Sequence, residues 1–147
     1  MFFASNVIVP VSYMEAARMA ITQRVTGQWA SDGLVCKDTR GLALKAEGEG
    51  GFVASDLILL SVAGCSSATL QALLKHDSWK TSSFDVSVEG DRLETRPRIY
   101  TDIRVHYIIE CTGLSKERLA EYINIVGQVC PVIQSLGAKA VLTFQLL

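Results

Sequence analysis

The sequence predicts an α+β fold, and three observations carry that expectation. Residues Ala54 to His76 are apolar or small on nearly every helical face, as in a helix covered on all sides. Phe84 to Glu89 and Ile99 to Cys111 each alternate apolar and polar residues, the pattern of half-buried strands. Strand-like runs precede the long helix, while a second helix and a last strand follow the alternating pair, so strands and helices are segregated.

Each element has its own local signal. Tyr13 to Ala20 has the composition of two helical turns. Ile21 to Trp29 is rich in Thr, Val and Trp, and Ser31-Asp32-Gly33 is a turn signal. Leu34 to Cys36 and Leu42 to Lys45 are the next strands, parted by Asp38-Thr39-Arg40-Gly41. Glu47 to Gly51 reads as a flexible acidic loop with no side-chain bulk at its glycines. Ser55 or Asp56 is expected to cap the long helix. On the Ile99 to Cys111 strand, Ile99, Thr101, Ile103, Val105, Tyr107 and Ile109 share one face, and the two alternating runs make a hairpin across a polar turn containing Pro97. Ser115 caps a second helix in which Leu119, Tyr122, Ile123 and Val126 keep helical spacing. Pro131 ends that helix and starts a short third one, running to Leu136. Gly137 stops it, and Val141 to Leu146 is the closing strand.

Composition narrows the function. A chain of 147 residues suits a single domain over 1–147, with 1–20 as an N-terminal extension. Fourteen basic against fifteen acidic residues give a net charge of -1 with no basic cluster, which argues against a nucleic-acid binder. The longest candidate for a membrane span, Leu57 to Ala63, is too short to cross a bilayer, so no membrane partner is expected. The N-terminus lacks a positive n-region and carries Asn6 and Pro10, which argues against a signal peptide and for a cytoplasmic protein.

Four cysteines, Cys36, Cys65, Cys111 and Cys130, stand far apart with no Cys-x-x-Cys and with neither histidine near them in sequence, so no metal site is expected. Cys36 and Cys111, in or at the ends of strands, are expected to pack. Cys65 sits mid-helix in apolar surroundings, where a thiol behaves as a small hydrophobe unless something activates it. Cys130 caps a proline-started helix, and the unpaired N–H groups there are expected to lower its pKa. His76 and His106 have no partner suggesting a triad. Trp29, Trp79 and Phe84 read as core or interface.

Asp56-Leu57-Ile58-Leu59-Leu60-Ser61-Val62-Ala63-Gly64-Cys65 and the later Val129-Cys130-Pro131-Val132 resemble the OsmC/Ohr family, the osmotically induced and organic hydroperoxide resistance proteins. The resemblance covers roughly residues 21–147. It implies antiparallel sheets around a long buried central helix in an intertwined homodimer. It also implies a thiol-dependent peroxidase. Cys65 would attack an organic hydroperoxide and become a sulfenic acid, Cys130 would close a disulfide with it, and an external dithiol, lipoyl groups in the better-known members, would reduce that disulfide. No bound cofactor is implied. The family places an Arg and a Glu by the reactive Cys. Here Lys45 stands where the Arg would, a swap that loses the planar fork, and Asp56 matches the carboxylate with a one-position offset. Arg24 and Arg40 are alternative cations. Phe52, Val53 and the glycine-rich loop would line the alkyl site. These departures leave a second expectation, a non-catalytic relative acting as redox sensor or small-ligand binder.

Overall fold

The computed structural model describes residues 23–147, which fall into two compact units, residues 23–51 and 52–147. The helical turns expected over Tyr13 to Ala20, and the extension 1–20 as a whole, lie outside the described residues.

The first unit is an antiparallel meander of β1 (Val25–Ala30), β2 (Gly33–Asp38) and β3 (Ala43–Ala46). β1 is exposed along its whole length, Trp29 included, so the core role expected of that tryptophan is not met within this unit. The acidic loop after β3 is held rather than loose. Gly48, at φ +77°, lies so close to the β1–β2 turn that a Cβ there would fall 1.9 Å from the Asp32 carbonyl oxygen. Lys45 fastens the same junction, donating from Nζ to Asp32 Oδ2 at 2.8 Å and to the Glu49 carbonyl at 2.7 Å.

The second unit runs α1 (Ala54–His76), β4 (Thr81–Arg92), β5 (Tyr100–Cys111), α2 (Lys116–Val129), α3 (Pro131–Ser135) and β6 (Lys139–Leu146). Its sheet has the order β4-β5-β6. The β4–β5 hairpin is antiparallel, as its alternation predicts, but β6 lies parallel to β5. The connection explains this departure from all-antiparallel sheets: α2 and α3 carry the chain back across the sheet, the crossover a parallel pair requires. Ile103, Val105, Tyr107 and Ile109 of the central strand are buried on the expected face. They join Val62, Leu70 and Leu74 of α1 and Leu119, Tyr122, Ile123 and Val126 of α2 in one core.

α1 begins two residues earlier than a Ser55 cap allows, and three earlier than an Asp56 cap. Val53 is the N-cap residue, without a side-chain cap bond, and Asp56 lies in the first turn, where a carboxylate suits the helix dipole. Within one chain its buried stripe is narrow: Val62, Ser66, Leu70 and Leu74. Ile58 and Leu60 remain 38% and 49% exposed, so the all-round burial expected of an all-round apolar helix is not met by this chain alone. By length and composition α1 could also cross a membrane, a test the Leu57 to Ala63 run by itself fails. The whole helix passes because its serines, threonine and glutamine are uncharged. Here it packs against α2, α3 and β4.

The C-terminal end of α1 is tied to α2 by charge. Asp77 accepts hydrogen bonds from the Tyr122 hydroxyl and, at 2.7 Å, from Arg118 Nη2, and it contacts His76 Nδ1 at 2.8 Å. Those donors, Tyr122 foremost, hold the Asp77 carboxyl well below the usual range. Trp79 Nε1 donates to the same Tyr122 oxygen at 3.1 Å. Ser115 caps α2 as expected, its side chain accepting from the Arg118 N–H at 3.1 Å.

Truncating Leu70, which is fully buried at the centre of the α1 stripe, tests this packing. Leu70→Ala should cost about 2–5 kcal/mol of unfolding free energy in chemical denaturation. A loss below about 1 kcal/mol would mean that the stripe does not hold α1 in place.

Candidate functional site

The site grows from a forced break in the chain. Pro131 has no N–H and cannot continue α2, so Cys130 takes the extended conformation (φ -65°, ψ 114°) that precedes a proline. Cys130 thereby closes α2 and opens α3, with Pro131 in the first turn. Its backbone is occupied on both sides: the Cys130 N–H donates to the Val126 carbonyl at 3.0 Å, and its carbonyl accepts from the Gln134 N–H at 3.0 Å. The side chain has only the core to enter, and Cys130 is fully buried.

There it meets α1. Cys65 is half-buried against the core that contains Cys130, and it lies close enough to shift the ionisation of the Cys130 thiol. Both thiols are free. The structure thus brings together the two cysteines singled out in the sequence. It reverses the expected direction of the Cys130 pKa. Burial pushes that thiol up and outweighs the N–H groups of Ile133 and Val132, which favour the thiolate, while Cys65 adds to the rise. One short helix turn does not offset full desolvation.

Three hydroxyls complete the surroundings. Ser66, next to Cys65, is fully buried, and so is Tyr107 of β5. Their hydroxyls neighbour each other, yet Ser66 Oγ, Ser67 Oγ and Tyr107 Oη complete no hydrogen bond of normal geometry. Burial raises the Tyr107 pKa; the Ser66 hydroxyl partly offsets this and Cys130 adds to it. Phe84 meets the Tyr107 ring edge-on, with centroids 5.8 Å apart. Buried polar atoms without partners are uncommon in native proteins, and two of these three, on Ser66 and Tyr107, lie close to the thiols. Sequence reading placed Tyr107 on the buried face and noted Ser66 as an interruption, but assigned neither a role.

Of the two candidate charged residues, Asp56 belongs to the second unit and Lys45 to the first. Asp56 is exposed and nine positions before Cys65 on the same helix, which is two and a half turns and about 13 Å along the axis. The two side chains therefore leave opposite sides of α1. Lys45 belongs to the first unit and is already paired with Asp32, whose carboxyl that contact holds below its usual range. Arg40 is likewise occupied, by Asp38 at 2.7 Å, and Arg24 is exposed. Cys111 is buried, donates to the Lys80 carbonyl at 3.4 Å and has its pKa raised by burial, consistent with packing. Cys36 is partly buried in β2. His106 Nδ1 contacts Thr143 Oγ1 at 2.8 Å. Phe52 and Val53, expected to line an alkyl site, are 49% and 54% exposed. Among the described residues no cluster of three or more His, Cys, Asp or Glu side chains is placed to hold a metal ion.

Comparisons with known proteins bear on the family and the fold. The family model for OsmC-like protein matches residues 46–145, a span that holds both cysteines and Tyr107. The protein YhfA of Escherichia coli is 22% identical over 86 residues. That match covers 58% of this chain and 64% of YhfA, so the chain spans less than two thirds of that relative's length. An OsmC-like protein of Mycoplasma pneumoniae has the same fold, with a TM-score of 0.76 at 18% identity over 88% of this chain and 99% of that one. An organic hydroperoxide resistance protein of Elizabethkingia anophelis superposes with a TM-score of 0.68 at 17% identity, covering 88% of this chain and 99% of the other. With more than half its length matched by the family model and its α+β fold shared with these structures, the chain belongs to the OsmC-like protein family.

Proposed function

We propose that this chain is a thiol-dependent peroxidase that reduces organic hydroperoxides through Cys65 and Cys130. The observation that carries the reading is the pairing itself: one half-exposed thiol on a rigid helix, with one fully buried thiol beside it. The relatives named for hydroperoxide resistance support the substrate class.

The Cys65 thiolate attacks a peroxide oxygen. The O–O bond breaks, the alkoxide takes a proton and leaves as an alcohol, and the sulfur keeps the hydroxyl as a sulfenic acid. Cys130 then gives up its proton and attacks that sulfur. The S–O bond breaks, hydroxide takes a proton and leaves as water, and a disulfide forms. An external dithiol, such as a lipoyl group, returns both thiols through two exchange steps. In this reading the Tyr107 and Ser66 hydroxyls receive the oxygen and proton being moved. A homodimer is part of the proposal, because Ile58 and Leu60 leave apolar surface of α1 uncovered on two faces and Asp56 faces away from its own Cys65. In a dimer Asp56 would act on the partner's site and Lys45 would supply the positive charge. The proposed setting is the cytoplasm, where the thiols stay reduced between turnovers.

A second reading, a redox sensor without turnover, is favoured by one observation: Lys45 is already neutralised by Asp32. A rate assay run beside a thiol count after one equivalent of peroxide separates the two.

Three outcomes are expected. Reduced protein should consume cumene hydroperoxide when dihydrolipoamide is present, and Cys65→Ser should abolish this. Equal turnover in the variant would end the assignment. Tyr107→Phe removes only an unpartnered hydroxyl, so stability should change by less than about 1 kcal/mol. Disulfide formation, followed by stopped-flow after one equivalent of peroxide, should slow about 10- to 100-fold, the worth of a hydrogen bond to a charged group. An unchanged rate removes Tyr107 from the chemistry. For Cys130 the sign is fixed by its raised pKa. The unfolded thiol ionises near 8.5 while the folded one stays protonated, so its contribution to stability is complete below that pH and declines as pH rises above it. Alkylation of Cys130 by iodoacetamide, read by peptide mass, should stay slow at pH 8.5 and accelerate only at higher pH. Rapid labelling at pH 7 would contradict the buried, protonated thiol.

A further inference from the structure

Two free thiols that meet on rigid elements can hold an atom between them as well as join to each other. Cys65 is carried by α1, and Cys130 stands at the start of α3, which packs against α1. The Cys65 side chain reaches the Cys130 thiol as a hydrogen-bond partner. Neither sulfur is in a disulfide, and the half-buried thiol leads inward to the fully buried one.

The surroundings narrow what such a pair can hold. Among the described residues no third His, Cys, Asp or Glu joins the two thiols, so the ligands of a structural zinc site are not assembled here. The groups acting on the Cys130 thiol are backbone N–H groups and Cys65, none of them charged. An uncharged adduct therefore suits the pair, because an unpaired charge in a protein core is costly. The thiols are also neighbours on one side of any atom they share. A pyramidal centre keeps two ligands on one side, whereas a linear two-coordinate centre drives them to opposite sides. Beyond the sulfurs, Ser66 Oγ and Tyr107 Oη are fully buried and complete no hydrogen bond of normal geometry. Tyr107 lies within reach of Ser66 and within electrostatic reach of Cys130. Each hydroxyl can donate and accept, so the two have capacity for one more hydroxyl between them. The ligand that fits is thiophilic, neutral and pyramidal, and carries a hydroxyl. Arsenous acid has all four properties.

We infer that the Cys65–Cys130 pair is a capture site for trivalent arsenic, held by both sulfurs with its remaining hydroxyl against Ser66 and Tyr107. Arsenic stays trivalent throughout. Two As–O bonds of arsenous acid break and two As–S bonds form. Each thiol proton leaves on a departing hydroxyl as water, so no oxidant or reductant enters and the adduct is neutral. The sulfurs are those of the proposed peroxidase, but capture requires no peroxide and no turnover.

Intact mass of the reduced full chain with sodium arsenite, free of oxygen and of other thiols, tests it. One arsenic should bind per chain with the mass loss of two waters, and proteolysis should release the Cys65 and Cys130 peptides joined through arsenic. That readout needs no variant, so it stands if a substitution at the buried Cys130 fails to fold. In equilibrium dialysis Cys65→Ser and Cys130→Ser should each weaken capture about a hundredfold or more, because the second As–S bond closes within one molecule. Cys36→Ser should bind as the unmodified chain does. Tyr107→Phe should weaken arsenous acid about three- to tenfold, the worth of one hydrogen bond, and leave phenylarsine oxide unchanged, since its adduct carries a ring in place of the hydroxyl. No bound arsenic at millimolar arsenite, an adduct that has lost only one water, peptides joined through Cys36 or Cys111, or equal weakening of both arsenicals by Tyr107→Phe would each overturn the assignment. Turnover of cumene hydroperoxide by a chain that captures no arsenic ends this inference alone, and capture without turnover ends the peroxidase alone.

Discussion

The rest of the site depends on one constraint: the chain cannot remain helical through Pro131. Because the break falls where α2 is already packed into the core, the residue before it has its N–H and carbonyl committed to the two flanking helices and its side chain turned inward. The opposing thiol is set by a separate rigid element. The buried stripe of α1 fixes the rotation of that helix, and the Asp77–Arg118–Tyr122 contacts fix its C-terminal end against α2. The spacing of the two thiols is therefore a property of helix packing and not of a loop. Sites supported in this way hold their geometry more tightly than sites built on mobile segments.

Much of this was legible from local pattern. The β4–β5 hairpin shows because a period of two is written into every residue from Phe84 to Glu89 and from Ile99 to Cys111. The Cys-Pro junction shows because proline acts on its immediate neighbour. What did not show depends on contacts distant in sequence. The parallel pairing of β6 with β5 follows from where a crossover returns, which no local period records. Lys45 meets Asp32 across 13 positions because two turns touch at glycines, a pairing that no local pattern records. The Cys130 pKa departs from its local signal for a related reason. The helix start that favours the thiolate is visible in sequence, whereas the larger opposing influence, complete burial, exists only once α1 and the sheet have closed over the thiol.

The unpartnered hydroxyls bear on what kind of pocket this is. Leaving a buried donor or acceptor unsatisfied costs about 1–3 kcal/mol, and an apolar side chain of the same shape would avoid that cost. A core concerned only with stability would place Phe at 107 and Ala at 66. Tyr107 sits instead within a buried Ile–Val face, beside Ser66 and within electrostatic reach of Cys130. Groups that can donate and accept, held where water is scarce, suit an intermediate whose oxygen and proton must both be placed.

In the proposed peroxidase, the unequal burial of the two thiols would set an order of events. Cys65, half-buried, can be reached by a peroxide and later by a bulky dithiol. Cys130, fully buried and held protonated, is shielded from both and from adventitious oxidation. Its raised pKa makes it a poor first nucleophile but a well-protected second one. Once Cys65 carries a sulfenic acid, the electrophile lies beside Cys130, and proximity supplies what low acidity withholds. A low-pKa Cys130, as its helix-capping position alone suggests, would compete with Cys65 for oxidant. In that proposal, the desolvation that reverses the sign of the shift would separate the attacking role from the resolving one.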